Sequence, residues 1–205
     1  MKLATSWKQI TLKTFSELDA IIRNNALQTS EKDIEILSLL SGKSIEEIHA
    51  LPFKTKNKYL TQISFLNKLE IIKEKVPAYF MIKRRIFRLT LNATELNGGQ
   101  YIDLMNFLKD PDATTRNIHN VLAIIALPMK FGLIKTKYSG KKHAPRAKFF
   151  YENMPVSIAY PILVFFCNLF AYLTIATADY LKTETRKKMN QISMEMQDIM
   201  SVSVG

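Results

Sequence analysis

Between positions 154 and 178 the chain carries no charged side chain, and the centre of that run reads PILVFFCNLFAYLTIA. Arg146 and Lys148 precede it, and Lys182, Arg186, Lys187 and Lys188 follow. About 20 apolar residues can cross a bilayer, whereas a shorter run is more often a buried core helix. Pro155 and Pro161 fall near its start, Asn168 lies mid-run, and Thr174 and Thr177 dilute its last turns. The densest part, 162–173, makes about three turns at 3.6 residues per turn. Basic residues flank both ends, so the one-sided excess of Lys and Arg that orients a span is absent. The run therefore reads as a long apolar C-terminal helix packed within protein. A membrane-associated protein anchored by residues 155–178 is the alternative.

At 205 residues the chain suits one domain, or a compact body with a helical C-terminal extension. Its 47% hydrophobic content supports a real core and excludes wholesale disorder. With only 6 Gly and 7 Pro, a β-sandwich with frequent tight turns is disfavoured. The single cysteine, Cys167, rules out an intramolecular disulfide, and in the apolar run it is expected to act as a small hydrophobe. MKLATSWKQITLKTF has Lys8 and Lys13 with no apolar core between them, so no secretory signal is expected and a cytoplasmic location is.

The net charge of +11 favours contact with polyanions: nucleic acid, anionic lipid or an acidic protein surface. A solvated Lys-rich surface accounts for it equally well. Basic residues cluster at Lys54, Lys56 and Lys58, at Lys83, Arg84 and Arg85 with Arg88, and in KTKYSGKKHAPRAK, which begins at Lys135. Gly140 and Pro145 mark the last cluster as an exposed loop. Its one aromatic, Tyr138, makes a poor stacking platform for bases. Lys83, Arg84, Arg85, Lys141, Lys142 and Arg146 are the candidate polyanion contacts, for weak and non-specific binding to DNA or anionic lipid.

The first half has helical spacing. Thr11 predicts the cap of a helix whose Phe15, Leu18, Ile21 and Ile22 share a face. Ser30 opens a second, with Ile34, Leu37 and Leu40 inward and Gly42 as its stop. Ser44 and Glu47 have capping-box spacing for a short helix that ends before Pro52. Tyr59, Ile63, Leu66 and Leu69 predict a third long helix. After Pro77, AYFMI and IFRLTL predict a β-hairpin near 78–91 around the basic triplet. Asn97-Gly98-Gly99 punctuates the chain, and 100–109 resumes a helix. Thr114 or Thr115 starts another, with Ile118, Val121, Leu122 and Ile125 inward until Pro128. A helix from Pro145 leads toward the apolar run. In the polar tail Met189, Ile192, Met196 and Ile199 keep helical spacing.

The fold class is accordingly mainly α: a compact helical body with one short hairpin over 1–153, then an apolar helix and Met-containing tail over 154–205.

Motifs for chemistry are sparse. Gly42-Lys43-Ser44 lacks the glycine five residues upstream that a phosphate loop needs, since position 37 is Leu. His49, His119 and His143 have no Cys or carboxylate at metal-ligand spacing. No nucleophile-elbow pattern surrounds any Ser. Neither a catalytic set, a cofactor nor a metal is expected, and a non-enzymatic role is.

Four pieces together carry a resemblance. SWKQITL precedes the first helix; LSLLSGKSIEEIHALP follows; then come GGQYIDLMNFL with NIHNVLAIIALP, and MPVSIAYPILVFFCNLF. In this order the chain resembles small proteins of tailed-bacteriophage morphogenesis, of the tail-assembly-chaperone-like kind. The resemblance implies a protein acting by protein–protein contact in virion tail assembly, or as a minor virion component. Other phage structural proteins, including a tape-measure protein, are its implied partners, and homo-oligomers are compatible with it. It would reside in the host cytoplasm during assembly or in the virion. Phe165, Phe166, Phe170, Met189 and Met196 are then the candidate partner-binding residues, on the apolar helix and the Met face of the tail. A basic nucleic-acid-binding virion protein is a further alternative.

Overall fold

The computed structural model describes residues 3–67, 75–108, 116–130, 134–169 and 182, and the fold is mainly helical with a small antiparallel sheet. Helix α1 (Leu12–Arg23) starts as its cap predicts: Thr14 N–H donates to Thr11 Oγ1 at 3.3 Å. Leu12 and Leu18 are buried on it, but Ile22, expected inward, is exposed at the helix end. Helix α2 (Thr29–Ser41) begins one residue before Ser30, because Gln28 forms the cap and donates its N–H to Glu31 at 2.7 Å. Gly42 ends it in the left-handed conformation, at φ 69°, which only glycine adopts without steric cost.

Helix α3 (Ile45–His49) carries the reciprocal box its sequence predicts. Glu47 N–H donates to Ser44 Oγ at 3.2 Å, and Ser44 N–H to Glu47 Oε2 at 3.0 Å. Helix α4 (Phe53–Gln62) follows Pro52. The expected long helix through Tyr59, Ile63 and Leu66 instead tightens to a 3-10 turn at Ser64–Asn67, where Phe65 meets Trp7 edge-on at 5.5 Å. Leu69 lies outside the described residues.

Strands β1 (Tyr79–Ile82) and β2 (Arg85–Leu89) form the hairpin inside the predicted window. Helix α5 (Gly98–Leu108) is capped by Asn97, whose Oδ1 accepts from Gln100 N–H at 2.9 Å. The Gln100 side chain is buried and donates to the Ile124 carbonyl at 2.8 Å. Helix α6 (Ile118–Ile125) is the centre of the core, with Val121 through Ile125 fully buried.

Sequence periodicity ran α6 on to Pro128, whereas it stops at Ile125 and becomes strand β3 (Ala126–Lys130) without a loop. Pro128 disfavours a helical conformation at Leu127. The Ile125 carbonyl accepts from Thr90 N–H at 3.0 Å, just beyond β2, so the chain is drawn into the sheet instead. A two-residue strand β4 (Ile134–Lys135) completes the antiparallel order β1-β2-β3-β4.

The basic segment from Lys135 is not one loop. It comprises β4, a 3-10 turn at Gly140–Lys142 and helix α7 (His143–Asn153). Pro145 falls in the first turn of α7, where a missing N–H costs nothing. The α7 aromatics cover the inner face of the sheet. Phe150 lies 4.9 Å from Phe87 and 6.1 Å from Phe80, and Phe149 lies 5.8 Å from Phe87. Phe80, Ile82, Phe87 and Leu89 are the buried alternation of the hairpin. A fully buried aromatic of this kind contributes about 1.5–3 kcal/mol.

The apolar run is broken near its start. Met154 is extended, its carbonyl accepting from Leu12 N–H at 2.9 Å, and Val156 N–H donates to Ile10 O at 2.9 Å. Thr11 and Pro155 thus form a β-bridge that ties the chain start to the α7 exit. Helix α8 (156–169) follows, with Val156, Ala159, Ile162, Leu163 and Phe166 buried. Cys167, expected to be packed, is exposed beside Asn168 on the other face. Among the described residues no helix is long and apolar enough to cross a membrane, so the expected long apolar helix is described only as far as 169. Chain contacts divide the protein into two units, Met1–Phe165 and Phe166–Gly205. Of the second, residues 166–169 and Lys182 are described.

Candidate interaction surface

Strand alternation decides what the hairpin offers outward. With Phe80, Ile82, Phe87 and Leu89 turned to the core, Tyr79, Met81, Ile86 and Arg88 occupy the opposite face. Tyr79 stands directly opposite Arg88, and Met81 opposite Ile86. Tyr79 is 52% exposed, Met81 66% and Ile86 38%. The Arg88 guanidinium lies 6.0 Å from the centre of the Tyr79 ring, at the edge of cation–π range. In β3, Leu127 pairs with Arg88 and is buried. Continuing that register places the half-buried Met129 beside Ile86. The outer face is therefore a strip of Met81, Ile86 and Met129, bordered by the Tyr79–Arg88 pair.

The hairpin turns in two residues, Lys83 and Arg84, with φ of 47° and 62°. Positive φ at both loop positions is the type I′ arrangement, which matches strand twist and normally selects Asn-Gly. For residues with a Cβ the left-handed region costs roughly 1–2 kcal/mol each. Two long cations are thus held in a strained tip. Arg85, the first residue of β2, is exposed and places its guanidinium 5.0 Å from the Phe149 ring.

Charge is distributed very unevenly along the chain. Residues 75–94, which make the hairpin, contain five cations and no Asp or Glu. Residues 126–151, which make β3, β4, the basic turn and most of α7, contain seven and again no Asp or Glu. These twelve exceed the net charge of +11, so the rest of the chain is close to neutral.

The six expected polyanion contacts separate into three settings. Lys83, Arg84 and Arg85 are together on the hairpin and exposed. Lys141 and Lys142 are exposed in the 3-10 turn before α7. Arg146 differs, being half-buried and committed inward. Its Nε donates to the Ala123 carbonyl at 2.6 Å, and its guanidinium lies 5.5 Å from the centre of the Tyr138 ring. Burial lowers its pKa below the ordinary arginine value, opposed by Tyr138. Tyr138 in turn donates to Asp103 Oδ2 at 2.6 Å, fastening this segment to α5. Burial first, and then the Asp103 hydrogen bond, push the Tyr138 hydroxyl up to about 12, so it remains a donor throughout the neutral range.

Of the expected partner-binding residues, Phe165 is half-buried and Phe166 buried in α8, while Phe170, Met189 and Met196 lie outside the described residues. Two of the three histidines gather near the core. His143 shares a hydrogen bond with the Asn120 carbonyl at 3.1 Å and stacks on Phe107 at 5.7 Å. His119 lies 5.1 Å from the Tyr151 ring, and burial, with the nearby His143, lowers its pKa. A cavity of about 20 Å³, room for one water, lies beside His119 among Asp19, Arg116 and Tyr151.

Tyr79, Met81 and Ile86 did not stand out in the sequence, and Arg88 reads there only as part of the basic cluster. The available signal was an apolar residue at almost every hairpin position, which a strand must divide between its two faces.

No protein-family model, curated protein or solved structure matches this chain.

Proposed function

We propose that the chain is a non-enzymatic bacteriophage protein that works by protein–protein contact, in assembly of the virion tail or as a minor structural component. The observation that supports contact as its mode of action is the outer sheet face, where Tyr79, Met81 and Ile86 present large apolar side chains to solvent. A contiguous, exposed apolar strip with a charged border is the usual anatomy of a protein-binding surface. The phage setting rests on the resemblance of the four sequence pieces. Its implied partners are other phage structural proteins, a tape-measure protein among them.

Mass spectrometry of purified particles and of the infected-cell lysate tests the proposal. The chain is expected in complexes with particle proteins, in the lysate alone for an assembly factor or in both for a structural component. Its absence from every such complex would contradict the proposal.

A second reading, a nucleic-acid-binding virion protein, is favoured by the twelve cations without a carboxylate. It predicts affinity for DNA that falls steeply with salt as counterions are released. Salt-independent binding, or none, would remove it.

A further inference from the structure

We infer that the outer face of the β1–β2 hairpin is the docking surface, and that its occupant is a partner polypeptide segment carrying carboxylates beside apolar side chains. The inference rests on the protein-contact reading above and names the chemistry of its partner.

Three observations converge on that occupant. First, Met81 and Ile86 face each other across the strands, with Met129 next in register, so an apolar strip crosses three strands at about 4.8 Å per strand. Methionine adapts its shape to different partners, and two of the three strip residues are Met. Second, the border is cationic. Lys83 and Arg84 stand at one end and Arg88 beside Tyr79, within a stretch free of Asp and Glu. Such a border attracts carboxylates and rejects a basic competitor. Third, the tip retains Lys83 and Arg84 at positive φ, where Asn-Gly would relieve the backbone. Strain of this kind persists where the side chains have work to do, and here they extend the cationic border beyond the last strand pair.

The same features discriminate against single-stranded nucleic acid on this face. A single strand needs aromatic faces on which successive bases stack, and the strip offers Tyr79 alone, its ring already near Arg88. Met81, Ile86 and Met129 are better matched to aliphatic or aromatic side chains of a peptide.

Selection of peptides from a random library on the full-length protein tests the inference, followed by fluorescence anisotropy with the selected peptides. Enriched sequences are expected to combine Asp or Glu with apolar residues. Met81→Asp is expected to weaken them about tenfold or more, the loss of one buried apolar contact. K83Q with R84Q is expected to weaken them several-fold and to flatten their salt dependence. Circular dichroism establishes that each variant keeps its fold, and Met81→Gln serves as a second variant should Met81→Asp disturb the strand.

Enrichment of basic peptides, no enrichment, or affinity untouched in both Met81 variants would overturn the assignment. So would tighter binding of an oligo-dT probe than of the selected peptides. If the assignment fails while the chain still purifies with particle proteins, the functional reading stands and the surface is elsewhere. If both fail, the functional reading falls as well.

Discussion

Met81 stands directly opposite Ile86 on the outer face of the hairpin, and both side chains are exposed, while their neighbours Phe80 and Phe87 form the buried pair on the other face. One residue of separation thus divides stability from contact. Phe87→Ala is expected to cost about 3–5 kcal/mol, as deletion of a buried aromatic does. Met81→Gln is expected to stay within about 0.5 kcal/mol of the parent, as exposed substitutions do. Urea unfolding of both variants measures the difference, and equal losses would place the two faces wrongly.

The Lys83-Arg84 tip gives the opposite sign. Replacing the pair by Asn-Gly puts residues suited to positive φ into a type I′ turn. The double variant is expected to gain roughly 1–2 kcal/mol, because left-handed backbone strain is relieved. Thermal unfolding reads this directly. Destabilisation would mean that the tip side chains contribute contacts outweighing the strain.

Tyr138 links the basic segment to α5 through Asp103, and its hydroxyl is displaced from an ordinary value of 10.0 to about 12. Since the folded value is raised, this contribution is fully present below pH 10 and is lost as pH climbs through about 12. Tyr138→Phe is expected to lose about 1 kcal/mol near neutrality, the net worth of one hydrogen bond to a charged group at a partly exposed position. It is also expected to abolish this alkaline component. Denaturant titrations from pH 8 to beyond pH 11 check both.

His119 acts at the other end of the pH scale. Burial and the neighbouring His143 hold its folded pKa below the ordinary 6.5. As pH falls below that value the unfolded chain takes up the proton first, so stability declines until folded His119 is itself protonated. His119→Phe, which keeps a ring beside Tyr151, is expected to flatten stability over that acidic window. An unchanged slope would remove His119 as the source of the dependence.

Much of the helical framework was legible because its signals are local. Thr11, Gly42 and the Ser44–Glu47 box act within a few residues, and each marks the boundary its chemistry implies. The hairpin was legible from composition, although its turn lacks the glycine or asparagine that usually marks one. Strand β3 was not, because Ala126 and Leu127 continue a helical apolar spacing and only pairing with the distant Leu89 and Arg88 makes them a strand. The interaction surface was hidden for a related reason. A hairpin that is apolar on both faces does not reveal which face the core will take until α7 supplies Phe149 and Phe150. Arg146 reads as one more surface cation, and only its fold position turns it toward the Ala123 carbonyl.

Site-specific photo-crosslinking from position 81 in infected cells tests the central claim most directly. A crosslinker replacing Met81 is expected to capture a particle protein through an acidic, apolar-containing segment, while one replacing the exposed Ala20 on α1 captures none. Capture from position 20 with none from position 81, or capture of nucleic acid alone from position 81, would contradict the account.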